Sequence, residues 1–183
     1  ILAVLKCGAR YVPAEPNFPT GRIRYMMVEA NVDFILSETS FTDKLGGFDV
    51  RLFDCEICGL ETPATEKEDT GKPGLPAYVL YTSGTTGLPK GICVTNRNVC
   101  HYVRAFANEF KPTTNDIMLQ YSVCSFDIFV EEVFASLLNG AALAIPSAED
   151  KEDVKTLMNF VERYQKIRKT ANHYHLIPFP EVH

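Results

Sequence analysis

The stretch that most limits how this chain can fold is residues 77–91. Its first part, Ala77-Tyr78-Val79-Leu80-Tyr81, is apolar and dominated by β-branched and aromatic residues, which predicts a short buried strand. The character then changes at once. Thr82-Ser83-Gly84-Thr85-Thr86-Gly87-Leu88-Pro89-Lys90-Gly91 packs four hydroxyls, three glycines and a lysine directly behind the strand. Glycine tolerates positive φ, so such a loop can turn several backbone N–H groups toward one point. Ser83, Thr85 and Thr86 add hydroxyl donors, and Lys90 adds a positive charge. This is equipment for gripping a polyphosphate. A plain solvated turn needs about two such residues and leaves the density unexplained.

The spacing excludes one familiar phosphate binder. A P-loop NTPase requires G-x-x-x-x-G-K-[ST], with the lysine directly after the second glycine. Here Gly87 is followed by Leu88-Pro89-Lys90-Gly91, which is the wrong register. From Tyr81 to Gly91 the stretch instead resembles, without a break, the pattern Y-T-S-G-T-T-G-x-P-K-G. That pattern is the phosphate-binding loop of the adenylate-forming (AMP-binding) superfamily. The resemblance implies that Thr82, Ser83, Gly84, Thr85, Thr86, Gly87 and Lys90 hold the β- and γ-phosphates of ATP, with Mg²⁺ bridging.

Two further blocks support the same resemblance. Leu5-Lys6-Cys7-Gly8-Ala9-Arg10-Tyr11-Val12-Pro13, followed by Pro16, Pro19, Arg22-Ile23 and Tyr25-Met26, is similar to a block of the amino-acid-activating adenylation domains of nonribosomal peptide synthetases. Its role there is mainly structural. Ser125-Phe126-Asp127-Ile128-Phe129-Val130-Glu131-Glu132-Val133-Phe134 resembles their block F-D-x-S-V-x-E, with Phe129 where serine is usual. Read alone, Asp127 at a strand-to-helix junction is equally a ligand carboxylate or a helix N-cap. The resemblance implies the former: Asp127 holds the amino group of the substrate, and Ile128 and Glu131 line its side-chain pocket.

Composition narrows the class further. The 183 residues suffice for one domain with a substantial core, and 46% hydrophobic with 22% charged residues is the balance of a folded globular protein. The net charge of −5 and the absence of a basic cluster before residue 160 argue against nucleic acid and membrane surfaces. No apolar run approaches the ~20 residues of a membrane span. The abrupt start Ile1-Leu2-Ala3-Val4-Leu5, without methionine or charged leader, reads as a cut inside a helix rather than a signal peptide. Most of the six cysteines stand in apolar surroundings, as buried thiols of a reduced, cytoplasmic protein do. Cys55 and Cys58 have C-x-x-C spacing, but the nearest histidine is His101, so a chance spacing is expected rather than a zinc or redox site.

Read in order, residues 1–9 are helical and end at Gly8. Tyr11-Val12-Pro13 is a strand, Pro19 to Ala30 a helix with Ile23, Met26 and Met27 on one face, and Val32 to Leu36 a strand. Val50 to Phe53 is another strand, and the polar residues 61–74 form an exposed connector. Beyond the glycine-rich loop come a strand at Ile92–Val94 and a helix capped by Thr95 or Asn96 that runs to Phe110, with His101 packed or at the surface. A strand over Asp116–Tyr121, a helix over Ile128–Leu138 closed by Asn139-Gly140, a strand over Ala141–Pro146 and an amphipathic helix over Lys151–Tyr164 follow. Strands and helices alternate. The predicted class is α/β, a largely parallel sheet flanked by helices, and the resemblance makes it part of the large N-terminal subdomain of an adenylate-forming enzyme.

The resemblance covers residues 1–164 as a partial adenylation domain, and residues 165–183 do not align to it. It implies ATP-dependent activation of an amino-acid carboxylate as an aminoacyl-adenylate. Transfer to a carrier protein's phosphopantetheine thiol then follows in the parent enzyme. The ribose-binding block and the catalytic-lysine domain of such enzymes are not found in the chain, so a fragment inactive by itself is expected. Two other readings stand beside it: an acyl-CoA or aryl-CoA ligase fragment, or a non-catalytic truncated nucleotide-binding protein. Asp127 and Glu131 are four residues apart and so share a helix face. Two carboxylates buried in one cavity call for balancing cations, which favours a cationic amino acid such as ornithine or lysine. The competing expectation is that Glu131 faces solvent or pairs with a protein cation.

Overall fold

The computed structural model describes residues 1–47, 51–54, 70–83, 88–164 and 167–168. The chain divides into two compact units, Ile1–Cys100 and His101–His183.

The first unit is organised around a buried strand, β3. Helix α1 (Leu2–Lys6) leads to helix α2 (Thr20–Glu29), strand β1 (Phe34–Ser37), a 3₁₀ turn at Thr39–Phe41, helix α3 (Thr42–Leu45) and strand β2 (Arg51–Asp54). Strands β1 and β2 pair in parallel. The strand β3 (Pro76–Thr82) then pairs antiparallel with β4 (Lys90–Thr95). Helix α2 buries Ile23, Met26 and Met27, the face its spacing predicts. Met26 and Ala30 pack against Val79 and Tyr81 of β3, while Ile23 and Met27 meet Leu45. Asn31, at φ 48°, ends α2 in the left-handed conformation, and the Val32 N–H returns to the Met27 carbonyl at 3.0 Å.

Two expectations change here. The strand foreseen at Tyr11–Pro13 shrinks to a single parallel bridge from Tyr11 to Tyr78. Tyr11 donates to the Ala77 carbonyl and accepts from the Val79 N–H, but Pro13 has no N–H with which to continue the ladder. The connection from β3 to β4 is a hairpin, an antiparallel element inside a fold whose other described pairings are parallel. Strand–helix alternation in the sequence does not announce it, because Ile92–Val94 reads as a strand whichever way it runs.

In the second unit the strand order is β6-β5-β7, all parallel, with β5 at Ile117–Leu119, β6 at Ala142–Ala144 and β7 at Ile167–Arg168. Helix α4 (Asn96–Phe110) begins in the first unit and ends in the second. Thr95 is its cap: the Asn98 N–H donates to the Thr95 hydroxyl at 3.3 Å, and Asn98 Oδ1 accepts the Thr95 N–H at 3.2 Å. Phe106 of α4 packs with Met118, Ala135 and Ala141. Between β5 and β6 runs helix α5 (Asp127–Val130), which passes directly into a π turn at Glu131–Ala135. The helix expected over residues 128–138 thus contains a widened turn, a feature found often at functional sites. Gly140, at φ 76°, closes it as the spacing predicts, and a methyl there would lie 3.1 Å from Thr114 Cγ2. The last helix, α6 (Val154–Arg163), follows a 3₁₀ turn at Glu149–Lys151.

The connector and the tail fall largely elsewhere. Residues 70–74 are exposed as expected. Residues 61–69, the pair Cys55 and Cys58, and all of 165–183 except β7 lie outside the described residues. Among the described cysteines, Cys7, Cys93 and Cys100 are exposed free thiols. That corrects the expectation of burial: apolar neighbours in sequence do not bury a residue, as on β4, where Lys90 to Cys93 are all exposed.

Candidate functional site

The glycine-rich loop is the link between β3 and β4. Tyr78 to Tyr81 are buried, whereas Thr82 and Ser83 emerge exposed at the end of β3. Across the hairpin Thr82 stands in register with Lys90, also exposed, so one hydroxyl and the cation flank the two ends of the loop. Gly84, Thr85, Thr86 and Gly87 lie outside the described residues. Gly91 is opposite Tyr81, and a methyl there would sit 3.0 Å from Glu29 Oε2 and 3.1 Å from both Tyr81 Cζ and Val79 Cγ1. Only hydrogen fits without displacing those groups.

Beneath this hairpin lies a polar brace the sequence does not reveal. The Tyr81 hydroxyl donates to the Glu29 carboxylate of α2 and lies 3.1 Å from the Met26 carbonyl. Burial, reinforced by the hydrogen bond and the charge of Glu29, pushes the Tyr81 phenol well above its usual range. Arg10 donates to the Ala30 carbonyl at 2.7 Å, tying the end of α2 from the other side. The strand that carries the loop is therefore pinned to α2 by side chains as well as by packing.

The second group of residues sits on α5 and its π turn. Asp127 is the first residue of α5 and is exposed; the N-cap is Phe126, so Asp127 does not occupy the cap position. Ile128 and Glu131 are half-buried. Glu131 accepts a hydrogen bond from the Tyr102 hydroxyl of α4. Although Tyr102 is 46% exposed, partial desolvation, that hydrogen bond and the negative charges of Glu131 and Asp127 together raise its phenol above the usual range. Tyr102, Asp127 and Glu131 therefore share one electrostatic neighbourhood.

The picture of two buried carboxylates at Asp127 and Glu131 is corrected. The buried carboxylate is Glu132, 3% exposed. Its oxygens accept from the Tyr121 N–H at 3.1 Å, the Ser122 N–H at 3.0 Å, the Ser122 hydroxyl at 2.9 Å and Gln120 Nε2 at 3.4 Å. Glu132 thereby fixes the turn that leaves β5 toward Asp127. A signal for it was present in the sequence: a carboxylate among Val130, Val133 and Phe134 has to find donors inside the fold. Nothing comparable marks Tyr102, whose partner is 29 residues away. His101 is exposed.

A family model described as AMP-binding enzyme matches residues 1–167. Bacitracin synthase 2 of Bacillus licheniformis is 33% identical over 168 residues, which are 90% of this chain and 6% of that protein. Gramicidin S synthase 2 of Brevibacillus brevis is 32% identical over 169 residues, 89% of this chain and 4% of that protein. Among solved structures, the nonribosomal peptide synthetase FmoA3 bound to alpha-methyl-L-serine-AMP superposes with a TM-score of 0.79 at 25% identity, over 88% of this chain and 18% of that one. The Klebsiella oxytoca NpsA N-terminal subdomain, in complex with 3-hydroxybenzoyl-AMSN, gives 0.71 at 25% identity, over 89% and 41% respectively. The chain belongs to the AMP-binding enzyme family. Within it the chain resembles the adenylation domains of nonribosomal peptide synthetases, with an α/β fold corresponding to part of their N-terminal subdomain. It spans only a few per cent of the length of these curated relatives.

Proposed function

We propose that this chain is part of an amino-acid-activating ligase. In the full-length protein a substrate carboxylate oxygen would attack the α-phosphorus of ATP. The products are an aminoacyl-adenylate and pyrophosphate, and the acyl group then passes to the thiol of a carrier protein's phosphopantetheine arm. The observation that carries the reading is Asp127, a carboxylate exposed at the start of α5 where Phe126, not Asp127, is the N-cap. A substrate ammonium group would give it an ionic partner. A fatty or aryl acid would leave it without one, which disfavours an acyl-CoA ligase.

Thr82, Ser83 and Lys90 would meet the β- and γ-phosphates of ATP, joined by Gly84, Thr85, Thr86 and Gly87. The exposed positions of Thr82, Ser83 and Lys90 at the hairpin end suit this role. Mg²⁺, when bound, would neutralise charge on the phosphate oxygens. The chain's own task is positioning: Lys90 offsets charge that grows on the departing pyrophosphate, and the Tyr81–Glu29 brace keeps the loop's strand in place. The partial domain is proposed to extend over residues 1–164. No helix among the described residues is long and apolar enough to cross a membrane. A cytoplasmic location suits the exposed free thiols Cys7, Cys93 and Cys100.

The substrate side chain would lie against Ile128 and Glu131. The only hydrogen bond Glu131 makes among the described residues comes from a neutral hydroxyl, through Oε2, so Oε1 remains able to accept a second ammonium. A diamino acid such as ornithine or lysine suits that arrangement. The test is amino-acid-dependent pyrophosphate exchange in the full-length protein. Lys90→Ala should cut the rate by about 10²-fold or more, as loss of one preorganised electrostatic contact does. Asp127→Ala should abolish exchange for every amino acid. Unchanged exchange in Lys90→Ala would remove the phosphate assignment.

A further inference from the structure

The contact between Tyr102 and Glu131 is used neither by the phosphate loop nor by the Asp127 contact to an α-amino group. Tyr102 lies in the first half of α4, and Glu131 is the first residue of the π turn, four positions beyond Asp127. The phenol donates to Glu131 Oε2. Glu131, and after it Asp127, place negative charge near Tyr102. A glutamate side chain has three rotatable bonds, so an unheld Glu131 would spread its charge over many positions. A rigid two-torsion phenol from another helix removes that freedom. It uses one carboxylate oxygen and, being a neutral donor, leaves the negative charge in place.

We propose that Tyr102 is a specificity-determining positioning residue: its hydroxyl holds Glu131 with one oxygen free, aimed to take the second ammonium group of a diamino acid. The inference rests on the reading of Asp127 and Glu131 as amino-acid contacts. It goes beyond that reading by assigning a role to a residue on a separate helix, outside the block that carries Asp127. Losing a hydrogen bond to a charged group weakens what that group binds, here by misplacing it, and about a tenfold effect is expected.

The experiment measures kcat/KM in pyrophosphate exchange for lysine and for norleucine, which has the same carbon chain without the second ammonium, on the full-length protein. The discriminating quantity is the lysine-to-norleucine ratio, with ornithine as a second diamino probe. Tyr102→Phe, which removes one oxygen atom, should lower the ratio about tenfold, mainly through KM for lysine. Glu131→Gln should lower it at least as far. In the Glu131→Gln background, Tyr102→Phe should produce no further fall, because the two residues act as one unit. A residue that merely supports the fold would shift both substrates together and would add its effect in the double variant. An unchanged ratio in Tyr102→Phe, or a full further tenfold fall in the double variant, overturns the proposal while leaving Asp127 in its role. A wild-type ratio near one overturns the role of Glu131 and this proposal with it. Persistent exchange in Asp127→Ala would identify instead a failure of the amino-acid reading itself.

Discussion

Two adjacent glutamates show how differently neighbouring residues can be used. Glu131 is half-buried beside Tyr102, whereas Glu132 is buried and ringed by donors from residues 120–122. Consecutive side chains around a helical turn point in different directions, and here one meets Tyr102 of α4 and the other the turn after β5. Removing Glu132 would leave the Tyr121 and Ser122 N–H groups without acceptors in a partly buried turn. Glu132→Ala should therefore destabilise the domain by about 3 kcal/mol, whereas Glu132→Gln, which keeps an acceptor, should cost about 1 kcal/mol. Urea titration of the two variants measures the difference. Equal loss in both would mean that the carboxylate's charge, rather than its acceptor capacity, holds the turn. Exchange activity in Glu132→Ala should fall with KM for the amino acid rising, since the turn leads to Asp127.

At the scale of elements, capping decides where helices begin. Helix α6 carries a reciprocal cap: Asp153 Oδ1 accepts the Thr156 N–H at 2.8 Å, and the Thr156 hydroxyl returns to the Asp153 N–H at 3.2 Å. Just before it, Asp150 Oδ2 accepts the Ser147 N–H at 2.9 Å and the Ser147 hydroxyl at 2.8 Å. The backbone N–H groups of Thr156 and Ser147 hold Asp153 and Asp150 respectively below the usual carboxylate range. A carboxyl depressed on folding stabilises the folded state above its unfolded value near about pH 4, and that contribution fades as pH falls through the folded value. Asp153→Asn keeps an acceptor but cannot titrate. The Tm of the wild type should therefore fall more steeply than that of Asp153→Asn between pH 5 and pH 3. Parallel pH curves would show that the cap does not contribute through its charge.

Across the chain as a whole, the exposed apolar side chains are the informative feature. Phe126 is 62% exposed and Ile145 65%, and both flank elements that carry or follow Asp127. Leu36 on β1 and Leu138 after the π turn are also more than half exposed. Isolated exposed apolar residues are ordinary, but Leu36 on the parallel strand β1 and Ile145 just after the parallel strand β6 mark surface that parallel sheets normally cover. The chain spans a few per cent of the relatives it matches. Expressed as 183 residues alone, it should bind a hydrophobic dye, elute as aggregate in size-exclusion chromatography and show no amino-acid-dependent pyrophosphate exchange. A monomeric, active chain would contradict this.

Neighbouring residues were enough to establish the α/β class, the buried strand ahead of the glycine-rich loop, the apolar face of α2, the left-handed close at Gly140 and the candidacy of Asp127. Each is a local matter: periodicity, backbone tolerance and a contiguous motif are written along a short run of chain. Packing settled the rest. It made β3 and β4 an antiparallel hairpin with Thr82 opposite Lys90, and it stopped the strand at Tyr11 after one bridge. It also made Glu132 the buried carboxylate, braced Tyr81 with Glu29, and held Glu131 with Tyr102. Those partners are separated by between 10 and 52 residues. Hydrogen bonds over such distances depend on which faces the packed elements turn toward each other, and no local pattern records that.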